Sequence, residues 1–97
     1  MKKINSINII QDWFSSKCDG YWEHLNGIKI ENTDNPGWLI TITGVIPDIK
    51  LLDIIKIEYG INFWYEKTEV RIFSETFNNC LDAGAVFLTS QISDKKV

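Results

Sequence analysis

The densest group of chemically capable side chains is Cys18-Asp19-Gly20-Tyr21-Trp22-Glu23-His24. Cysteine, aspartate, glutamate and histidine can all ligate a metal, and paired carboxylates such as Asp19 and Glu23, or Glu31 and Asp34, can share acid and base roles. The sequence limits both chemistries. It holds one histidine and two cysteines, so a closed zinc site would have to recruit distant carboxylates. Neither Cys-x-x-Cys nor His-Glu-x-x-His occurs, and the glycines are scattered over turns rather than gathered into a phosphate loop. Cys18 and His24 flank an expected helix-to-strand junction, where nothing in the spacing sets them at hydrogen-bond distance. No catalytic, metal-binding or cofactor-binding residue is assigned. A small metal-dependent or acid–base enzyme built on Asp19, Glu23 and His24 is the alternative reading.

Aromatic residues make the second signal. Tyr21-Trp22 and Phe63-Trp64-Tyr65 are short runs, and alternate residues of a strand face opposite sides, so one core cannot take all of Phe63, Trp64 and Tyr65. Each run therefore either packs beneath a loop or helix or presents an anchor to a partner. The segment Asn32-Thr33-Asp34-Asn35-Pro36-Gly37-Trp38 folds as a tight connection on its own chemistry, and its acidic and amide groups could also serve recognition.

These residues need elements to hold them. Ile10, Trp13, Phe14 and Cys18 recur at helical spacing, giving a helix over 8–18, capped by Asn8 or begun at Asn5 or Ser6 and ended by Asp19-Gly20. Cys18 is expected in the core. A strand-like segment follows over 21–31, clearest at Ile28 and Ile30, then the Asn35-Pro36-Gly37 turn and a strand from Trp38 to Thr43, forming a hairpin. Ile55, Ile57 and Tyr59 alternate and predict a strand over 53–59, with further strands over 63–67 and 70–73. A second helix is expected from Glu75 or Thr76 to about Ser90, with Ser74 as cap and Gly84 packed closely on the sheet. The expectation is an α+β fold: an antiparallel meander of about five strands with an N-terminal and a C-terminal helix on one face. The 97 residues make one domain, ordered over about 6–91, with a frayed tail at 92–97.

The overall balance narrows the partners. Ten Lys plus Arg against thirteen Asp plus Glu gives a net charge of -3, and Arg71 is the single arginine, so phosphate and base recognition have little material. Nucleic acid and membrane are excluded as partners, since no apolar run approaches bilayer length. The absence of an export signal in the first residues and two widely separated cysteines point to a cytoplasmic protein with free thiols.

The order Trp13-Phe14…Cys18-Asp19-Gly20-Tyr21-Trp22-Glu23-His24…Gly27-Ile28-Lys29-Ile30-Glu31-Asn32-Thr33-Asp34-Asn35-Pro36-Gly37-Trp38 resembles the immunity protein 53 family of bacterial polymorphic-toxin systems. Tyr21 stands where the family pattern has an acidic residue. The resemblance implies a non-enzymatic inhibitor, without cofactor, that binds a cognate toxin domain in the cytoplasm. Occlusion on that reading needs aromatic anchors with a polar rim. Tyr21, Trp22, Trp38, Trp64 and Tyr65 are the candidate anchors; Asp19, Glu23, His24, Glu31 and Asp34 are the candidate polar contacts. A basic toxin would be steered by the acidic groups. The chain is expected as a monomer or a weak homodimer joined through a sheet edge. An adaptor for another protein is the third reading.

Overall fold

In the computed structural model, which describes residues 5–95 with side chains to residue 91, alternation and helical spacing each claim their segments. α1 (Ser6–Lys17) starts where Asn5 accepts the Asn8 N–H at 3.2 Å, the earlier of the starts that the sequence allows. Next come α2 (Trp22–Leu25), a single helical turn, and β1 (Ile28–Thr33) and β2 (Gly37–Thr43), joined through Asp34-Asn35-Pro36. They are followed by α3 (Ile49–Tyr59), β3 (Asn62–Glu66), β4 (Glu69–Ser74) and α4 (Phe77–Lys95). The result is an α+β fold with a four-stranded antiparallel sheet.

Two segments differ from expectation. Residues 53–59 are helix, not strand. Asp48 accepts the Leu51 N–H at 3.2 Å to open α3, and Gly60, at φ 64, closes it with its N–H on the Lys56 carbonyl at 2.9 Å. Leu52 and Ile55 lie buried at helical spacing, while Ile57, inward in the strand reading, is 83% exposed. Residues 22–25 are likewise helical, so β1 begins only at Ile28.

Loss of that strand rearranges the sheet. Its order is β1-β2-β4-β3, because α3 carries the chain from β2 to the far edge and β4 returns between them. A simple meander is thereby broken. The registers Ile28↔Ile42, Ile40↔Ile72 and Phe63↔Ile72 put these residues on one face. α4 lies across that face and buries Cys80, Ala83, Phe87 and Leu88 against Ile40, Ile42, Val70 and Ile72. Gly84 is the close approach that the sequence suggests: a Cβ there would sit 3.2 Å from Ile40 Cδ1.

α1 packs along α4, with Trp13 at the core and Ser6 Oγ donating to the Asp82 carboxylate. α4 begins where Thr76 Oγ1 accepts the Asn79 N–H at 3.2 Å and runs past Ser90 to Lys95. Of the expected tail, residues 96–97 lie outside the described residues. Gln91, buried on α4, exchanges two hydrogen bonds with the Ile46 backbone and so pins the loop before α3. No helix among the described residues is long and apolar enough to cross a membrane.

Gly44 ties the sheet to the loop before β1. Its φ is +84, and a Cβ there would stand 2.9 Å from Trp22 Cζ2 and Nε1 and from Asn26 Cγ. Gly44→Ala combines a left-handed backbone with a clash, and we expect a loss of more than about 1 kcal/mol. Thermal denaturation of the pair would read it as a lowered midpoint.

Candidate functional site

The acidic cluster folds around its own backbone. Asp19 Oδ1 accepts the N–H groups of Tyr21 and Trp22, both at 2.9 Å. In return Glu23 Oε1 accepts the Asp19 N–H at 3.0 Å and Oε2 the Gly20 N–H at 2.8 Å. The two carboxylates thus satisfy donors at the head of α2, as reciprocal caps do. Both are held below their ordinary values: Asp19 by the Trp22 and Tyr21 amides, Glu23 by its own amide and those of Asp19 and Gly20.

Lowered carboxyl values make this loop acid-sensitive with a definite sign. Its stabilisation is complete above the unfolded carboxylate range near about pH 4 and is lost as pH falls through the lower folded values. Asp19→Asn and Glu23→Gln should therefore lower the melting midpoint at neutral pH, with the difference from wild type shrinking below about pH 4. Thermal melts across that range would check it.

The rest of the motif is likewise engaged locally. Trp22 meets the Trp13 ring edge-on at 5.6 Å between centroids and Phe14 at 5.9 Å. Tyr21 and His24 are exposed. Cys18, expected in the core, is exposed at the extended residue that ends α1, its thiol on the Phe14 carbonyl at 3.3 Å. Desolvation, then the Glu23 and Asp19 charges, raise that thiol above its ordinary value, and burial pushes Cys80 up to about 11. Neither thiol is a poised nucleophile. No group of three or more His, Cys, Asp or Glu gathers for a metal ion among the described residues.

The turn at the other end of the hairpin is also built for packing. A Cβ on Gly37 would lie 2.4 Å from Phe73 Cζ, so only glycine lets that ring cover the strand. Trp38 points to the helix side, its ring 4.6 Å from Phe77. Asp34 is exposed in the turn itself.

Among the described residues no helix covers the opposite face of the sheet. Its outward rows follow from the register: Glu31, Leu39, Phe73 and Asn62 in one, Lys29, Thr41, Arg71 and Trp64 in the next. Leu39 and Phe73 floor a concavity of about 280 Å³, walled by Trp64 and Arg71 on one side and by Thr33 and Asn35 on the other. Trp64 is 53% exposed there. Arg71 Nε holds Glu69 at 2.6 Å and Lys29 approaches Glu31 at 4.0 Å, so both cations of the face have acidic neighbours. Thr33 Oγ1 is buried at the lip without a hydrogen-bond partner. Open faces of antiparallel sheets are ordinarily polar; this one has an apolar centre and a charged margin, the make-up of a protein contact.

Of the sequence-derived candidates, Glu31 and Trp64 share this face and Asp34 lies in the turn at its end. Tyr65 sits on the same strand as Trp64 but turned to the helix side, stacked with Phe63 at 6.4 Å. Asp19, Tyr21, Trp22, Glu23 and His24 lie at the other end of the β1–β2 hairpin from Asp34. Leu39, Phe73 and Arg71 were not among the candidates. Alternation places Leu39 opposite the buried Ile40 in direction, but which face the helices leave open is a tertiary outcome.

The family described as immunity protein 53 matches residues 7–82, from α1 through the hairpin and β4 into α4. No curated protein and no solved structure gives a match. The match takes in the motif of residues 13–38 and most of the chain beyond it, and the chain belongs to the immunity protein 53 family.

Proposed function

We propose that this polymorphic-toxin immunity protein neutralises its cognate toxin by stoichiometric occlusion, with the helix-free face of the sheet as the contact surface. One observation carries the reading: Trp64, half exposed, lines one concavity with Leu39 and Phe73 on a face that no helix among the described residues covers. A stable interface of standard size buries about 1,200–2,000 Å² in total and concentrates its energy in central aromatic or arginine anchors inside a polar rim. Trp64 and Arg71 are the anchors, and Glu31, Glu69 and Asp34 form the margin. With a chain charge of -3, association with a basic toxin is accelerated. The reading requires neither cofactor nor metal, and it places neutralisation in the cytoplasm, where the toxin would otherwise act.

Co-expression with the cognate toxin domain tests the surface in cells. Leu39→Lys puts a charge at the centre of the face and should abolish protection from the toxin. Asp19→Asn, at neutral pH, should keep it. Protection lost with Asp19→Asn in a folded protein and kept with Leu39→Lys would move the contact to the α2 loop.

A further inference from the structure

Hydrogen-bond directions alternate along each strand of an antiparallel sheet. The Thr43 N–H donates to the Gly27 carbonyl at 3.0 Å, and the Gly44 N–H to the Thr68 carbonyl at 2.9 Å, on the β4 side. Carried through the registers, this alternation turns Asn62, Trp64 and Glu66 toward β4, and the backbone groups of Phe63 and Tyr65 away from the sheet. Among the described residues no strand pairs with that edge.

Edge strands are ordinarily guarded by charge or proline. β1, the other edge, has Lys29 and Glu31 within it; β3 has its one charge, Glu66, at its end and Phe63-Trp64-Tyr65 at its centre. Trp64 is 53% exposed on one face of that strand and Tyr65 52% on the other. A partner on either face would cover one of them. A strand laid alongside covers both.

We propose that this strand is β3 of a second copy, antiparallel about a two-fold axis through Trp64, so that two chains form one eight-stranded sheet. The sequence is complementary to itself in that register. Phe63 falls opposite Tyr65 of the second copy, where the outward backbone groups of both pair, and this occurs twice. Trp64 falls opposite its own symmetry mate at a position without backbone bonds, where side chains come closest. Asn62 faces Glu66, amide to carboxylate, and no like charges are opposed. On the helix side the stacked Phe63 and Tyr65 of each chain meet the same pair of the other, making four rings. A centre moved to Tyr65 would set Trp64 against Glu66 and Phe63 against Lys67. The contact is isologous and closes; it leaves Leu39 and Phe73 uncovered but takes up Trp64, so the dimer and the toxin-bound monomer are alternative states.

Sedimentation of the full chain from micromolar to millimolar concentration tests this without any toxin. The mass should rise from 11.2 kDa to twice that value. Trp64→Lys and Trp64→Glu should each stay monomeric, and their equimolar mixture should dimerise, because only opposition at the axis brings the two charges together. In a Cys18→Ser background, Trp64→Cys should cross-link with itself under mild oxidation, while Glu66→Cys should cross-link only when mixed with Asn62→Cys. A wild-type chain that stays monomeric at millimolar concentration would overturn the proposal. So would a dimer that survives Trp64→Lys, or a mixture that associates no better than its components.

Discussion

Replacing Trp13 by alanine is expected to lower stability by about 3–5 kcal/mol, since it is the largest of the fully buried side chains among the described residues. Its side chain is 1% exposed between α1, α4 and the α2 loop. Removing it leaves a cavity and also strips Trp22 of its edge-on partner at 5.6 Å, so the loop that Asp19 and Glu23 cap loses its anchor with the core. Trp13 Nε1 is buried without a hydrogen-bond partner, and leaving such a donor unpaired costs about 1–3 kcal/mol. Trp13→Phe keeps a ring, deletes that donor and should recover much of the loss. Urea titrations of the three proteins would separate these terms.

Trp64→Ala should do the reverse. The side chain is half exposed on an outer strand, so the melting midpoint should move little, as for surface substitutions in general. Toxin affinity should fall at least about 30-fold, corresponding to a hot-spot loss of about 2 kcal/mol or more. Calorimetry at concentrations where the free chain is monomeric gives the number. The contrast between the two tryptophans follows from the surroundings each meets in the fold.

Much of that fold is legible in the residues. The hairpin of β1 and β2 announces itself because Ile40 and Ile42 alternate with Leu39, Thr41 and Thr43 and because Asn35-Pro36-Gly37 can only be a turn. α1 and α4 follow from apolar spacings of three and four. Residues 53–59 mislead because Ile55, Ile57 and Tyr59 alternate as a strand does while Leu52, Ile55 and Tyr59 also keep helical spacing. Composition alone does not break that tie. The caps do, Asp48 before the segment and Gly60 after it.

The candidate site divides in the same way. That Phe63, Trp64 and Tyr65 could not share one core follows from the pleat, and both Trp64 and Tyr65 are indeed half exposed. The carboxylates of the Asp19–His24 cluster read as potential chemistry because sequence gives their proximity without their direction. Once oriented, they face backbone amides. The apolar floor of Leu39 and Phe73 is out of reach for another reason: two helices on one side of the sheet are expected, but with Leu39 apolar among the outward residues and Phe73 unassigned to a face, nothing local marks their side as an apolar surface left open.

The most direct measurement places a photo-crosslinking residue at Thr41, in the middle of the open face, and at Ile57, exposed on α3. Each is irradiated with the cognate toxin domain, and the products are resolved by mass. A toxin bound on the open face gives a one-to-one adduct from Thr41 and none from Ile57. An adduct from Ile57 with none from Thr41 would contradict that placement and put the toxin on the helical side.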